Sequence, residues 1–182
     1  MSKGEEEIDA LKKSVFEQAM QIQRQQEYQN ESEQYNRRTN LEIHGLPFEQ
    51  DEDLKDELSK LAVALKLPNF SPSDVLAIHR LPSKHDTVHV ILVRFTSLSV
   101  KESWSAARGK LRHSHQSGAL PKLLFKDNLT KFNRYLFWHA RTAAKDKGYL
   151  FACGKTGKIY VNKNEDALLF RISKLSDIDK IK

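Results

Sequence analysis

The segment Val88-His-Val-Ile-Leu-Val-Arg-Phe95 decides the fold, because it is the strongest strand signal in a chain of 182 residues. It is rich in β-branched and other apolar side chains and ends in an aromatic residue, a composition typical of a pleated, half-buried surface. Since side chains alternate along a strand, one set is predicted to face a core: Ile91, Val93 and Phe95. The other set predicts an apolar stripe on the outer face, which normally lies under another segment: Val88, Val90 and Leu92.

The segments around this strand predict the order βαββαβ. In chain order they are a strand over 40–47, a helix over 51–66, strands over 75–81 and 88–95, a helix over 97–110 and a closing strand over 123–125. Each segment has the apolar period of its type and is bounded by turn-forming or capping residues. This order is the ferredoxin-like, or split βαβ, arrangement.

A second, smaller unit follows this arrangement. Its predicted elements are a helix capped by Asn128 or Thr130 that runs to Lys147 and stops at Gly148, strands over 150–153, 158–162 and 168–172, and a short final helix capped by Ser173. The turn Gly154-Lys-Thr-Gly157 indicates a hairpin, and we expect its tip to be free to close over a bound strand. The fold class is therefore α+β, with one domain over 37–120 and a C-terminal α+β domain over 121–182.

Residues 1–36 predict a polar N-terminal helix outside the core. Four apolar residues fit a heptad seam: Ile8, Leu11, Val15 and Ile22. The seam fades into glutamines, at Gln18 and Gln25. The segment is therefore a short coiled coil that mediates self-association, or a lone polar helix that frays without a partner.

The positive charge of the chain belongs to its last four-fifths. Residues 1–36 hold 4 basic and 8 acidic residues, a net of −4, and residues 37–182 hold 26 and 16, a net of +10. A field of this sign favours a polyanionic partner, although a merely soluble basic surface is the alternative.

The predicted four-stranded sheet departs from an ordinary RNA-recognition motif. That module stacks bases on aromatic residues of its first and third strands, whereas Glu42 stands at the first-strand position here. Val90 and Leu92 occupy the third-strand positions. The domain over 37–120 is therefore a divergent RNA-recognition motif, and any nucleic acid must be held mainly through its backbone.

The predicted helix over 130–147 carries the clearest binding signal. One face, called the basic stripe below, holds Lys131, Arg134, Trp138, Arg141 and Lys145. Nearly opposite lie Leu129, Phe132, Leu136, Ala140 and Ala143. Solvated helix faces usually mix charges of both signs, but residues 128–145 contain no acid. Positive charges around an aromatic ring, with no acid among them, suit a phosphate backbone with an unstacked base beside it.

Further basic residues are predicted to add to this surface. They are Arg37 and Arg38 before the first strand, Arg108, Lys110 and Arg112 at the end of the 97–110 helix, and Lys155 and Lys158 at the hairpin. They form separate patches, or one cleft with strongly salt-dependent binding.

Signals for an enzyme, a cofactor or a metal are weak. Gly154-Lys-Thr156 resembles the end of a P-loop, but Tyr149 replaces the required glycine and a strand follows instead of a helix. Cys153 is the one cysteine, which excludes a disulfide framework and a multi-cysteine zinc site. We expect a non-catalytic protein without a cofactor or metal. Apolar runs such as Val90–Val93 are too short to cross a bilayer, so a soluble intracellular protein is expected.

Several segments resemble a known family in the same order. They are Asn36-Arg-Arg-Thr-Asn-Leu-Glu-Ile-His-Gly-Leu-Pro47, Ile78-His-Arg-Leu-Pro82, Val90-Ile-Leu-Val-Arg-Phe95, Ala106-Ala-Arg108, and Phe125-Lys-Asp-Asn-Leu-Thr130 through Gly157-Lys-Ile-Tyr-Val161. Together they resemble the RNA-binding protein of the first open reading frame of LINE-type (non-LTR) retrotransposons. The likeness is closer to arthropod elements and to the related few-polyhedra (FP) protein of baculoviruses.

The resemblance implies a coiled-coil homotrimer, a divergent RNA-recognition fold and a C-terminal domain beside it. It also implies that single-stranded RNA lies between the two domains, with nucleic-acid chaperone activity and assembly into ribonucleoprotein particles. Matching basic positions are Arg37, Arg38 and Arg108, with Arg134 and Arg141 as looser matches.

These observations predict a sequence-tolerant protein that binds single-stranded RNA, or single-stranded DNA, and self-associates through its N-terminal helix. We expect it in a cytoplasmic ribonucleoprotein, with the nucleus as an additional location, and without a membrane partner. The alternative is a protein-interaction or structural module, host-derived or viral, with weak nucleic-acid binding.

Overall fold

A computed structural model describes residues 2–83 and 89–182. Val88, the first residue of the predicted outer stripe, lies outside the described residues. The chain divides into one unit that ends at Asn36 and a second from Arg37 to Lys182.

The first unit is one long helix, α1 (Lys3–Asn36), which confirms the predicted N-terminal helix. From residue 2 to residue 36, every residue except Asn30 and Gln34 is exposed. The four predicted seam residues are 52–65% exposed: Ile8, Leu11, Val15 and Ile22. Within a single chain the seam therefore faces solvent.

The second unit begins with the predicted βαββαβ order. Its elements are β1 (Asn40–His44), α2 (Leu54–Ala64), β2 (Val75–Arg80), β3 (Ile91–Phe95), α3 (Leu98–Ala106), α4 (Arg108–Gln116) and β4 (Leu124–Asp127). The strands form an antiparallel sheet in the order β2-β3-β1-β4, which confirms the ferredoxin-like arrangement.

Two boundaries differ from the prediction. β3 begins at Ile91 rather than Val88. The helix predicted over 97–110 is two helices that meet at Ala107, where the backbone tightens because the Ala107 N–H donates to the Trp104 oxygen and the Lys110 N–H donates to the Ala107 oxygen. The second helix continues to Gln116 because Leu111 reaches the core, where it is 5% exposed.

The helices cover one face of this sheet. From β3, the predicted inward residues are fully buried, which confirms their orientation: Ile91, Val93 and Phe95. Trp104 of α3 is 1% exposed and stacks on Phe95 with ring centroids 5.8 Å apart. These helices do not cover the opposite, outer face of the sheet.

The chain then forms a second α/β layer. Its elements are α5 (Lys131–Asp146), β5 (Phe151–Lys155), β6 (Lys158–Asn162), β7 (Phe170–Ile172) and α6 (Leu175–Ile178). The strands form an antiparallel sheet in the order β5-β6-β7. α5 covers one face of it, with Leu136, Ala140 and Ala144 buried in one apolar cluster with Ile159, Val161 and Ile172.

Caps and turns explain where the elements of this layer end. The Thr130 hydroxyl accepts from the Asn133 N–H at 3.0 Å and begins α5, as predicted. The hairpin turn is shorter than predicted, because the strands reach Lys155 and Lys158 and leave two turn residues with positive φ, Thr156 and Gly157.

The predicted cap of the final helix is wrong by one residue. Lys174, not Ser173, precedes α6. Ser173 instead donates its N–H and its hydroxyl to one oxygen of Asp177, at 2.9 and 3.0 Å. The Asp177 carboxylate therefore fixes the start of α6 from within the helix.

The two layers meet where β4 ends. The Asp127 carboxylate accepts from the Gly157 N–H at 3.2 Å and pairs with Lys101, which is 3% exposed. This hydrogen bond joins the hairpin tip to the end of the four-stranded sheet. That the tip closes over a bound strand stays a prediction. The division between residues 120 and 121 stays a prediction; the last strand of the four-stranded sheet lies after it.

Candidate nucleic-acid interface

The basic stripe lies on the solvent side of α5. Trp138 is 62% exposed and the Arg134 side chain 65%, and the other three members are also exposed: Lys131, Arg141 and Lys145. The buried side is centred on Leu136 and Ala140. Phe132 is farther from that centre than predicted and is 40% exposed.

Aromatic rings extend the stripe on one side. His139 contacts both Trp138 and Tyr135 edge to face, with ring centroids 4.8 and 4.2 Å apart. Tyr135 is 53% exposed. Tyr135 and His139 were not predicted as part of the site, although their spacing of four residues on one helix places them on the same face.

Arg134 of the stripe contacts a buried carboxylate on the outer face of the four-stranded sheet. Its Nη2 lies 3.4 Å from Oε1 of Glu42, which is 6% exposed. Asn128 donates to the same oxygen at 2.9 Å, and His44 Nε2 lies 2.9 Å from the other oxygen. Burial alone would raise the pKa of Glu42, but the hydrogen bonds from His44 and Asn128 and the Arg134 charge hold this pKa below its usual range.

Arg37 reaches the same place through Asn128. Its Nη1 donates to the Leu129 carbonyl at 3.2 Å and to the Asn128 side-chain oxygen at 3.5 Å. Asn40 donates to that oxygen as well, at 3.1 Å. The structure therefore brings Arg37 and Arg134 together around Asn128 and Glu42. The next predicted residue, Arg38, is half-buried.

The charges of two predicted cations, Arg108 and Lys155, act on Cys153. Burial raises the pKa of the Cys153 thiol, and the charges of Arg108 and Lys155 act on it in the opposite direction without offsetting that effect. Lys155 also lies directly across the hairpin from Lys158. Arg108, Lys155 and Lys158 are all exposed.

Lys110 and Arg112 take different positions on α4. Lys110 Nζ donates to the Leu65 carbonyl oxygen at 2.9 Å, where α2 ends. A cation there stabilises the carbonyl end of a helix. Arg112 is exposed on α4. Lys110 thus has a structural role that its sequence position did not indicate.

The outer face of the four-stranded sheet is more polar than the predicted stripe. Val90 and Leu92 are half-buried, and Leu92 lies across from Glu42. Two exposed cations that were not predicted lie on the same face: Arg94 and Lys126. Strand alternation alone would have placed Arg94 on this face.

The predicted cations therefore lie in at least two separate places. α5 covers one face of the three-stranded sheet, whereas pairing parity places Lys155 and Lys158 on the other face, because Ile159 between Lys158 and Tyr160 points into the core. The basic stripe and the hairpin lysines consequently lie on opposite sides of one layer.

Comparison with known proteins gives a match for this layer. Residues 130–182 match the family model described as Baculovirus FP protein domain 2. The match supports an FP-like relationship for the segment that includes α5, the three-stranded sheet and α6. A search of curated proteins gives no match. Among residues 2–83 and 89–182, no helix has both the length and the apolar character needed to cross a bilayer.

Proposed function

We propose that this chain is a sequence-tolerant protein that binds single-stranded nucleic acid, preferably RNA. The observation that carries the proposal is the basic stripe: four exposed cations and an exposed Trp138 on a helix with no acid between residues 128 and 145. Cations of this kind displace counterions from phosphates, and an exposed indole stacks on any base. Both contacts are independent of sequence.

The sheet supports backbone recognition rather than base recognition. Bases would stack on aromatic residues of β1 and β3 in an RNA-recognition motif, but Glu42 and Leu92 face each other there. Arg94 and Lys126 stand exposed around them. Cations on a sheet without aromatic platforms contact phosphates and carry no base specificity.

Self-association completes the proposal. Chains that associate through the α1 seam, as trimers, would gather several nucleic-acid sites in one particle and raise the effective concentration of the strands. We propose that this gives chaperone activity within a cytoplasmic ribonucleoprotein of a retrotransposon, which is also present in the nucleus. The FP-like relationship of residues 130–182 is compatible with this origin.

A salt-series titration of the full chain tests the proposal against single-stranded RNA, single-stranded DNA and duplex. We expect the logarithm of the affinity for single strands to fall linearly with the logarithm of salt concentration, with a slope that corresponds to several phosphates. A flat dependence would exclude the charged surface as the site.

The matched variants reverse two exposed cations each. Because Arg134 also contacts Glu42, the cleaner variant is Arg141→Glu with Lys145→Glu, which should weaken RNA binding at least about tenfold at moderate salt. Lys55→Glu with Lys66→Glu makes the same change of charge at the two ends of α2 and should have a much smaller effect. Equal losses from both pairs would mean that only net charge matters.

A protein-interaction module remains the alternative function. It would use the acidic helix α1 and the outer sheet stripe, of which Val90 and Leu92 are half-buried. Weak, unsaturable RNA binding together with a tight protein partner would favour this alternative.

A further inference from the structure

The three-stranded sheet has a second face, on the side away from α5. Pairing registers place Lys155 beside Lys158, Cys153 beside Tyr160, and Tyr160 beside Arg171. Phe151 lies on the same side of β5, two and four residues before Cys153 and Lys155. We call this surface the strand face: Phe151, Cys153, Lys155, Lys158, Tyr160 and Arg171.

The charge of the strand face has one sign. β5, β6 and β7 together contain no acidic residue, and three cations on this face are exposed: Lys155, Lys158 and Arg171. The positive charge of Arg108, at the start of α4, also acts on Cys153. The nearby Asp127 is already paired with the buried Lys101 and the Gly157 N–H.

Aromatic rings lie among these cations. Tyr160 is on the central strand, with Arg171 on one side and Cys153 on the other. Phe151 is 42% exposed. Positive side chains around aromatic rings are the features that hold a single strand by its phosphates and bases.

The strand face and the basic stripe are separated by the layer itself. Leu136 and Ala140 of α5 lie against the core side of the sheet with Ile159 and Val161, and all four are at most 1% exposed. A short single strand on one face therefore cannot reach the other without passing around the edge of the layer.

We propose that the strand face is a second site for single-stranded nucleic acid, so that each chain holds two strands at once. The inference rests on the proposed function and deepens it. Lys155, Lys158 and Arg171 contact phosphates, while Phe151 and Tyr160 stack on bases. Two strands held on one small layer meet at a raised local concentration, and this accelerates their annealing.

The first experiment counts oligonucleotides per chain. The probe is a single-stranded RNA of about six nucleotides, within the range of sites on single-strand-binding domains and too short to span both faces. We expect native mass spectrometry of the full chain to give two per chain. Lys155→Glu with Lys158→Glu should give one, and Arg141→Glu with Lys145→Glu should also give one.

The second experiment measures annealing of two longer complementary strands by fluorescence energy transfer. Each of the two paired variants should still bind single strands but lose at least about tenfold in annealing rate, because each removes one of the two sites. The pair Lys55→Glu with Lys66→Glu is the control of equal charge. Lys155→Gln with Lys158→Gln removes the same two cations without adding negative charge near Asp127. If the glutamates disturb the fold, this glutamine variant should still show the loss in annealing rate.

The outcomes separate this inference from the proposed function. The unaltered chain could bind one oligonucleotide, with stoichiometry and annealing rate unchanged when Lys155 and Lys158 are replaced by Glu or by Gln. That result would overturn the second site and leave the proposed function standing. No saturable binding of single strands of any length by the unaltered chain would overturn both.

Discussion

Arg134 of the basic stripe lies against the buried Glu42 carboxylate, with Nη2 and Oε1 3.4 Å apart. The pair joins a helix of the C-terminal layer to the central strand region of the four-stranded sheet, 92 residues earlier in the chain. The same Glu42 oxygen also accepts from Asn128, so one carboxylate binds both Asn128 and the Arg134 side chain of the stripe. The later members of the stripe, Arg141 and Lys145, are exposed along α5.

Glu42→Gln should lower the free energy of unfolding by about 1–2 kcal/mol at neutral pH, because charge-assisted hydrogen bonds become neutral ones. The folded-state pKa of Glu42 lies below its ordinary value of 4.5. Its stabilising effect is therefore complete above that pH and is lost as pH falls through the folded-state pKa. Urea unfolding of both chains over this range measures the difference, which should shrink in acid.

The exposed Glu102 provides the control for this prediction. Glu102→Gln should change the free energy of unfolding by less than about 0.5 kcal/mol. Other carboxylates titrate equally in both chains and cancel in the difference. A gap between Glu42→Gln and the unaltered chain that stays constant into acid would contradict the role assigned to the Glu42 charge.

Trp138→Ala should weaken single-strand binding by about 1–3 kcal/mol, the value of one base stacked on an aromatic side chain. It should leave thermal stability nearly unchanged, because the indole is 62% exposed. Trp138→Phe keeps a stacking ring and should recover part of the affinity. Fluorescence titration with a labelled strand measures these effects, and equal affinity of all three chains would remove Trp138 from the site.

Gly45→Ala should destabilise the second unit by at least about 2 kcal/mol. Gly45 has a φ of 95°, and an added Cβ would lie 2.2 Å from the Lys122 carbonyl oxygen. Positive φ and a backbone clash both oppose a side chain there. Gly109 in α4 is the matched control, because a Cβ there meets nothing within 4 Å. Gly109→Ala should be neutral or stabilising by up to about 1 kcal/mol, and similar melting temperatures for the two variants would contradict this account.

The sequence predicted most of the elements because their signals are local. Alternation along β3 correctly oriented Ile91, Val93 and Phe95, and the 100° period of α5 correctly exposed the basic stripe. Positions where elements end were less certain, as Ala107 and Ser173 show, since tertiary contacts decide them. The fold class therefore followed from periodicity, and the boundaries needed the structure.

The site was only partly predictable because its key contacts are distant in sequence. Charge counting selected Arg37 and Arg134, but it gave no sign that Asn128 and Glu42 would draw both to one place. Nor did it show that Lys110 caps α2, or that Asp127 holds the hairpin tip. Side-chain hydrogen bonds across 30 to 92 residues depend on how the layers meet, and no local period carries that information.

Removal of the α1 seam should abolish self-association. Leu11 and Val15 are 65% and 64% exposed in the single chain, and burial of such side chains between helices contributes about 1.5–3 kcal/mol each. Leu11→Gln with Val15→Gln should therefore reduce the mass measured by light scattering from that of three chains to that of one. Phe16→Gln with Met20→Gln changes two apolar residues outside the heptad seam and should leave the mass unchanged. Equal masses for the seam variant and the unaltered chain would show that these residues do not hold an oligomer together.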